Sequence, residues 1–197
     1  AGADISEFAH FEAEEGRSLA KQGQEMLFNM IENFTTPVIA AVNGYALGGG
    51  LELAMSAHFR VASSNALMGL PEVSLGLIPG YGGTQRLAQL VGKGRALELI
   101  MTANMIDAPK ALAYGLVNYV VPQEALLPKC YTLADQIKSN SSLAIAAAIR
   151  AVNANYMDGV NGYDVEISEF GKCFDTADFI EGTTAFLEKR KSNFPGK

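Results

Sequence analysis

Apolar residues recur first at helical spacing and then at strand spacing along the N-terminal part of the chain. In residues 14–34 they have the spacing of an amphipathic helix: Leu19, Met26, Leu27, Met30, Ile31 and Phe34. After Pro37, the segment VIAAV predicts a buried strand that ends at a turn, Asn43-Gly44. Three glycines at 48–50 then lead into the apolar segment LELAMSA, which predicts a glycine-rich loop followed by a short helix.

The same pattern of short strands and helices continues to about residue 122. FRVAS and the residues around Leu67 and Met68 predict two more strands, and GGTQRLAQLVG and KGRALELIMTA predict consecutive helices. Asp107 is placed to cap a helix that has Pro109 in its first turn and ends at Gly115. The segment LVNYVV predicts a further strand.

From Gln123 onward the spacing predicts four helices with no strand between them. We therefore predict an α/β fold with two parts, an α/β core at 1–122 and a helical unit at 123–197, with the boundary at Pro122. Four helices on so small a core would expose apolar faces, so self-association is expected.

Composition places the chain among ordinary globular proteins. It has 197 residues, 49% of them hydrophobic, and 15 basic against 21 acidic side chains give a net charge of −6. The longest apolar runs, PVIAAV and LAIAAAI, are far shorter than the roughly 20 residues of a membrane-spanning helix. The first residues, AGADISEF, show no signal peptide. Cys130 and Cys173 are interpreted as reduced thiols of an intracellular protein, with a single disulfide as the alternative.

Metal and nucleic-acid binding are both disfavoured. The two histidines, His10 and His58, stand outside any HExxH or CxxC motif, so no metal site is predicted. The negative net charge argues against nucleic acid as the main partner. Residues 186–197 do concentrate cations, and this cluster is either a solvated helix end or an anion-binding segment.

The most informative feature is a segment almost without charge. Between Asn33 and Gln85 only Glu52, Arg60 and Glu72 are charged, and both glutamates stand among apolar residues. Burial of a carboxyl group raises its pKa, and a pair of such groups suits general acid–base catalysis. The alternative is structural: each glutamate pairs with Arg60 or Arg86, or caps a helix.

Glycines concentrate in the same segment, which holds nine of the chain's 20. Glycine lets the backbone approach a ligand closely, and a helix N-terminus offers free N–H groups to developing negative charge. Such donors form an oxyanion hole, and the alternative for any one of these glycines is that it merely makes a turn. No GxGxxG, GxxxxGK[ST] or GxSxG motif occurs, which disfavours dinucleotide redox chemistry, nucleotide hydrolysis and serine esterase chemistry.

Three blocks of sequence carry a family resemblance: AGADI at 1–5, NGYALGGGLELAM at 43–55 and PEVSLGLIPGYGGTQRL at 71–87. Together, in this order, they resemble the crotonase superfamily, and specifically its short-chain enoyl-CoA hydratases. The resemblance implies a crotonase-like spiral of ββα repeats followed by a helical trimerisation region. It also implies a homotrimer or a hexamer built as a dimer of trimers.

The resemblance assigns a role to individual residues. The backbone amides of Ala3 and Gly49 would form the oxyanion hole for an acyl-CoA thioester, Glu52 and Glu72 would be the catalytic pair, and the Gly80 amide would position water. Coenzyme A enters as part of the substrate, and no separate cofactor is expected. The further substrate-binding residues that it implies are Ala1, Asp4, Ile5, Gly48 and Pro71, with Phe186 and Lys189 contacting the CoA of a neighbouring subunit. Tyr81 and Leu70 are expected beside the acyl pocket.

Related activities remain as alternatives. Superfamily members that only shift a double bond commonly keep just the carboxylate at the position of Glu72, so the pair favours a hydratase over an enoyl-CoA isomerase or another crotonase-type enzyme. A non-catalytic oligomeric or RNA-binding relative is the alternative of another class. The resemblance places the protein in a bacterial cytoplasm or, after processing, in the mitochondrial matrix. Because the chain opens within the first oxyanion motif, we expect the N-terminal part of the family fold to be absent from it.

Overall fold

The computed structural model describes residues 2–197, which form two compact units. The first contains the residues up to Glu32 together with Val38–Cys130, and the second contains Asn33–Pro37 and Tyr131–Lys197. The first unit thus continues past Pro122, the boundary that the change of composition predicts.

Strands and helices alternate through the first unit. Its strands are β1 (Ile39–Val42), β2 (Tyr45–Leu47), β3 (Phe59–Ser63), β4 (Leu67–Gly69), β5 (Ile106–Asp107) and β6 (Tyr119–Val121). Its helices are α1 (Ala13–Gly23), α2 (Asn29–Glu32), α3 (Gly49–Ser56), α4 (Gly83–Val91), α5 (Lys93–Thr102) and α6 (Ala108–Tyr114). Short 3-10 turns occur at Ile5–Glu7, Glu72–Leu75 and Gln123–Ala125. The single helix predicted over 14–34 is interrupted, because α1 and α2 are joined by a π-helical segment at Gln24–Phe28.

The strands form two small sheets, ordered β1-β3-β6 and β2-β4-β5. β3 lies parallel to β1, and β4 lies parallel to β2, with Ala46 opposite Met68. The strands β1 and β2 follow each other in the chain, and each pairs with one strand of the next pair, β3 and β4. The helix α3 forms the crossover from the first pair to the second. This is the repeating ββα geometry of a spiral. β5 closes the second sheet by pairing antiparallel with β4.

The core of the first unit packs around α3, β4 and α4. Leu51, Met68, Leu70 and Leu87 are among its fully buried side chains. Buried Arg60 donates to the carbonyls of Leu116, Ala57 and Ala54 at 2.8, 2.8 and 3.3 Å. Burial lowers the pKa of Arg60 to about 10. Because these acceptors are backbone carbonyls, Arg60 ties the end of α3 to the chain near Leu116.

The second unit is helical. The helix α7 (Leu126–Lys138) leads into it, and α8 (Ser142–Ala154), α9 (Gly162–Cys173) and α10 (Ala177–Leu187) complete it. Buried Asp178 accepts a hydrogen bond from the Ser141 hydroxyl at 2.5 Å and another from the Gly196 amide at 2.7 Å. Ser141 also caps α8. One carboxylate thereby joins the starts of α8 and α10 to the end of the chain. No helix within residues 2–197 has the length and apolar character needed to cross a membrane.

We predict that Asp178→Ala lowers the free energy of unfolding by about 2 kcal/mol, because it leaves the buried Ser141 hydroxyl and the Gly196 amide without their acceptor. Urea denaturation followed by circular dichroism measures the change. Asp175→Ala, at an exposed position just before the same helix, is the control and should change stability by less than about 0.5 kcal/mol. Equal stability of the two variants would show that the buried carboxylate does not hold the unit together.

Candidate active site

A cavity of about 340 Å³ lies in the first unit, between the N-terminal segment, α1, the start of α3 and the loop before α4. Its wall is mostly apolar side chains and glycine backbone. Among the lining residues only Glu52, Glu72 and Tyr81 bring polar side chains. The other lining residues are Gly2, Ala3, Ile5, Phe8, Gly16, Leu19, Ala20, Leu47, Gly48, Gly49, Pro71, Leu75, Leu77, Ile78 and Gly80. A concave, apolar site with few polar groups is the usual form of a small-molecule site.

Glu52 lies in the first turn of α3 and is only 1% exposed. Its Oε1 accepts hydrogen bonds from the backbone amides of Tyr81 and Gly83, each at 2.8 Å. Burial raises the pKa of Glu52, and the two amide bonds oppose that rise because they stabilise the charged carboxylate. Since Gly83 begins α4, Glu52 also caps that helix. The structural alternative from the sequence is therefore correct in part: the same carboxylate caps a helix and lines the cavity.

Glu72 has a different environment. It begins the 3-10 turn Glu72–Leu75, and burial raises its pKa. Its Oε2 is buried and has no hydrogen-bond partner among residues 2–197. A Cβ at Gly48 would lie 2.9 Å from Oε1 of Glu72, so only glycine leaves room for this carboxyl group. A hydrogen bond from its own backbone amide opposes the rise in the pKa of Glu72, so the two carboxyl groups differ in the partners that stabilise their charged forms.

The start of α3 offers backbone amides to the cavity. Gly48, with φ of 51°, precedes the helix, and its own amide is bonded to Gly69 O at 3.0 Å. Gly49 is the first helical residue, where amides have no partner within the helix. A Cβ at Gly49 would lie 3.8 Å from the amide nitrogen of Ala3. The structure therefore places the two predicted oxyanion-hole residues side by side.

The loop from Gly80 to Gly83 is held by several contacts. The Tyr81 ring stacks on Phe28, with centroids 4.8 Å apart and planes 9° from parallel. Gly23 lies so close to this ring that an added Cβ would collide with Tyr81 Cε1. Arg86 Nη1 donates to Tyr81 O at 2.9 Å, and burial raises the pKa of the Tyr81 hydroxyl. These contacts fix the backbone that binds Glu52.

Comparison with known proteins decides the family. A family profile described as enoyl-CoA hydratase/isomerase matches residues 1–197. The chain is 50% identical to a crotonyl-CoA hydratase of Syntrophomonas wolfei over 100% of its own length and 76% of that protein. It is 47% identical to a short-chain-enoyl-CoA hydratase of Clostridium acetobutylicum, covering 97% of this chain and 73% of that one. The crystal structure of an enoyl-CoA hydratase from Bacillus anthracis superposes with a TM-score of 0.92 at 42% identity, over 100% of this chain and 76% of that one.

The chain belongs to the enoyl-CoA hydratase/isomerase family. The predicted fold class is thereby confirmed, since the whole of this chain superposes on a family member.

Most of the predicted site residues meet at the cavity: Ala3, Ile5, Gly48, Gly49, Glu52, Pro71, Glu72 and Gly80. Asp4 does not line it, because its carboxylate caps the turn Ile5–Glu7 by accepting from the Ser6 amide at 3.0 Å and the Ser6 hydroxyl at 2.7 Å. Ala1 lies outside the described residues. Phe186 and Lys189 belong to the second unit, where the Phe186 side chain is 81% exposed.

The N-terminal helical segment contributes to the site in a way that the sequence pattern does not predict. Gly16, Leu19 and Ala20 of α1 form one wall of the cavity, and Gln24 contacts the loop at Gly80. The helical spacing of Leu19 indicates a packed face but not that this face borders a cavity. Tyr81 lines the cavity as expected, whereas Leu70 is fully buried in the core and is not among the lining residues.

We predict opposite effects for two glycine substitutions in α1. Gly23→Ala should lower the free energy of unfolding by about 1–3 kcal/mol, because the new methyl group forces the Tyr81 ring off Phe28. Gly16→Ala meets no atom within 4 Å and should raise the unfolding free energy by about 0.5–1 kcal/mol. Thermal and urea denaturation test both, and stabilisation by Gly23→Ala would show that the ring contact is not close in solution.

Proposed function

We propose that this protein is an enoyl-CoA hydratase that adds water reversibly across the 2,3 double bond of a 2-trans-enoyl-CoA to give a 3-hydroxyacyl-CoA. The observation that carries the proposal is the pair Glu52 and Glu72, which line one apolar cavity in two different hydrogen-bonding environments. Two relatives that cover essentially the whole chain are named as enoyl-CoA hydratases with short-chain or crotonyl substrates, which supports this reaction.

The thioester oxygen accepts hydrogen bonds from the amides of Ala3 and Gly49. As water adds to the double bond, electron density moves onto this oxygen, so donors placed there stabilise the transition state more than the substrate. Removing one oxyanion donor in other enzymes costs about 2.7–4 kcal/mol. Because the wall of the cavity is mostly apolar, these bonds act in a medium of low polarity, where they are stronger than in water.

The two carboxyl groups divide the proton transfers. Glu52, held as a carboxylate by two amides, takes a proton from water while the water oxygen bonds to C3. Glu72, whose pKa burial raises, gives its proton to C2 as the enolate collapses. The sum is one water added, with a proton gained by Glu52 and one lost by Glu72. Transfer of the extra proton from Glu52 to Glu72 restores the starting protonation of both groups.

The presence of both carboxyl groups, Glu52 and Glu72, also favours hydration over double-bond isomerisation as the reaction. Moving a double bond needs a proton removed from one carbon and returned to another, which a single carboxyl group can do. Activation of water needs a second group, and Glu52 is that group here. In this scheme the acid–base groups and the oxyanion donors all come from the chain, and CoA takes part as a portion of the substrate.

The assembly and location belong to the same proposal. The second unit exposes many large apolar side chains, including Tyr163, Ile167, Phe170 and Phe186. We propose that these helices bury apolar surface against other copies in a homotrimer or a dimer of trimers, where Phe186 and Lys189 meet the CoA of a neighbouring subunit. Bacterial and mitochondrial relatives support a site of action in a bacterial cytoplasm or in the mitochondrial matrix.

Glu52→Gln and Glu72→Gln should each lower kcat for crotonyl-CoA by about 10²–10⁴-fold, because each removes one general acid or base. The assay follows the loss of ultraviolet absorbance of the conjugated thioester with the full-length protein. Glu98→Gln, exposed on α5, is the control and should keep normal turnover. A Gln variant with near-normal turnover would refute the role of that glutamate, and absence of hydration by the unmodified protein would refute the proposed function.

Size-exclusion chromatography with light scattering tests the assembly. We expect the mass of three or six chains, because exposed apolar area on this scale is usually covered by a partner. Replacing Phe170, 66% exposed on α9, by Glu should reduce that mass, whereas Glu166→Gln on the same helix should not. If the unmodified protein has the mass of a monomer, the proposed trimer is contradicted.

A further inference from the structure

A hydrogen-bond chain reaches Glu52 from the π-helical segment. Gln24 Nε2 donates to the carbonyl of Gly80 at 2.7 Å, and the amide of Tyr81 donates to Glu52 Oε1 at 2.8 Å. That carbonyl and that amide belong to the same peptide unit, between Gly80 and Tyr81. Gln24, which is 56 residues from Gly80 in the sequence, is therefore linked to Glu52 through one rigid plane.

Hydrogen bonds at the two ends of a peptide unit strengthen each other. A donor at the carbonyl draws electron density toward oxygen and makes the amide hydrogen on the same unit more positive, which strengthens its bond to an anion. We propose that Gln24 is a positioning residue for Glu52: through the Gly80–Tyr81 peptide unit it orients and strengthens the amide that holds the carboxylate. This inference rests on the proposed function only where it concerns turnover.

The local helix geometry brings Gln24 to this carbonyl. At Gln24–Phe28 the helix widens, and the Asn29 amide bonds to the Gln24 carbonyl five residues earlier. Gln24 and Phe28, at the two ends of this segment, both contact the same loop, one at Gly80 and the other at the Tyr81 ring. Single π turns of this kind occur often at functional sites. The segment thus holds both the polar and the aromatic part of the loop.

Other groups around Glu52 act on it by different routes. Glu72 opposes its negative charge and Arg86 favours it. Arg86 in turn pairs with Glu32 at 2.7 Å, and Arg60 is bonded to carbonyls near the far end of α3. The Tyr81 hydroxyl, whose pKa burial raises, stays neutral at ordinary pH. Gln24 acts by another route, through the Gly80 carbonyl to which its side chain donates.

The direction of the change in the pKa of Glu52 follows from the charge state that Gln24 stabilises. Its amide stabilises the carboxylate form of Glu52, so its removal should raise the pKa of Glu52. Because Glu52 must be ionised to take a proton from water, loss of Gln24 should move the acid limb of the kcat–pH profile to higher pH. For a cooperative gain of about 10–30% of a charge-assisted bond, the shift is up to about half a pH unit, or threefold in the ionisation constant.

The test compares Gln24→Met, which keeps the length of the side chain and removes the donor, with Gln24→Lys, which keeps a donor and adds positive charge. We expect the acid limb to move up for Met and down for Lys, with kcat for crotonyl-CoA lowered about three- to tenfold in the Met variant and KM changed less than twofold. Gln22→Met is the matched control, since Gln22 is exposed on α1 and its side chain donates to the Ser18 hydroxyl. Its profile should equal that of the unmodified protein.

A second readout needs no turnover. The Glu52 carboxyl is titrated in the ligand-free protein by ¹³C NMR, with the signal assigned by its loss in Glu52→Gln. An upward shift in Gln24→Met and none in Gln22→Met supports the inference even if crotonyl-CoA is not hydrated, an outcome that would count only against the proposed function. An unshifted Glu52 titration in a folded Gln24→Met variant, or equal shifts in both variants, would overturn the inference.

Discussion

The first unit depends on one buried carboxylate. Glu52 is nearly inaccessible to water, and an ion in such a place costs several kcal/mol unless hydrogen bonds replace its hydration. The amides of Tyr81 and Gly83 supply that replacement at 2.8 Å each, and charge-assisted bonds of this kind are about twice as strong as neutral ones. These two bonds form only when α3, the loop that contains Tyr81 and the start of α4 keep their relative positions. A Cβ at Gly83 would lie 2.8 Å from Glu52 Oε1, so the carboxylate also dictates a glycine there.

The same helix serves packing and chemistry. Leu51 and Met55 of α3 are buried in the core, and this burial fixes the rotation of the helix about its axis. With the rotation fixed, Glu52 faces the cavity and the start of the helix presents the amide of Gly49 beside Ala3. Oxyanion donor and candidate base therefore come from one turn of helix. Geometry of this kind is held by many core contacts, which is what preorganised catalysis requires.

Local signals made much of this fold predictable. Asp107 caps α6 by accepting from the Lys110 amide, and Gly115 ends that helix with a positive φ, both as the sequence indicates. The segment without charge indicated that Glu52 and Glu72 are withdrawn from water, and in the structure Glu52 is buried and Glu72 half-buried. The predicted strand LVNYVV is shorter in the structure, Tyr119–Val121, since Leu116 and Val117 pack into the core outside the sheet.

Other parts of the site had no local signal. A π turn differs from an α turn by one residue in its bonding, and the apolar spacing of residues 14–34 fits both, so the interruption at Gln24–Phe28 could not be predicted. The contact between Gln24 and Gly80 joins two neutral polar groups far apart in the sequence, and neither residue type identifies the other. The capping role of Asp4 was not predicted, because the family motif assigns this segment to substrate binding. In the structure the Asp4 carboxylate instead accepts a hydrogen bond from the amide of Ser6, two residues later.

The hydrogen bonds of Arg86 go to groups other than Glu52, and this affects the pKa of Glu52. An arginine bonded directly to Glu52 would lower its pKa by about 1–3 units and leave a weak base. Arg86 instead bonds to Glu32 and to the carbonyl of Tyr81, and its charge lowers the pKa of Glu52 less than burial raises it. Neutral backbone amides are left to hold Glu52, and they stabilise its charge without supplying a fixed counter-ion. Glu52 is thereby left without a fixed counter-ion, and burial raises its pKa, as it raises that of Glu72. The two groups differ in their hydrogen bonds: Oε1 of Glu52 accepts from two amides of the loop and α4, whereas Oε2 of Glu72 has no partner among the described residues.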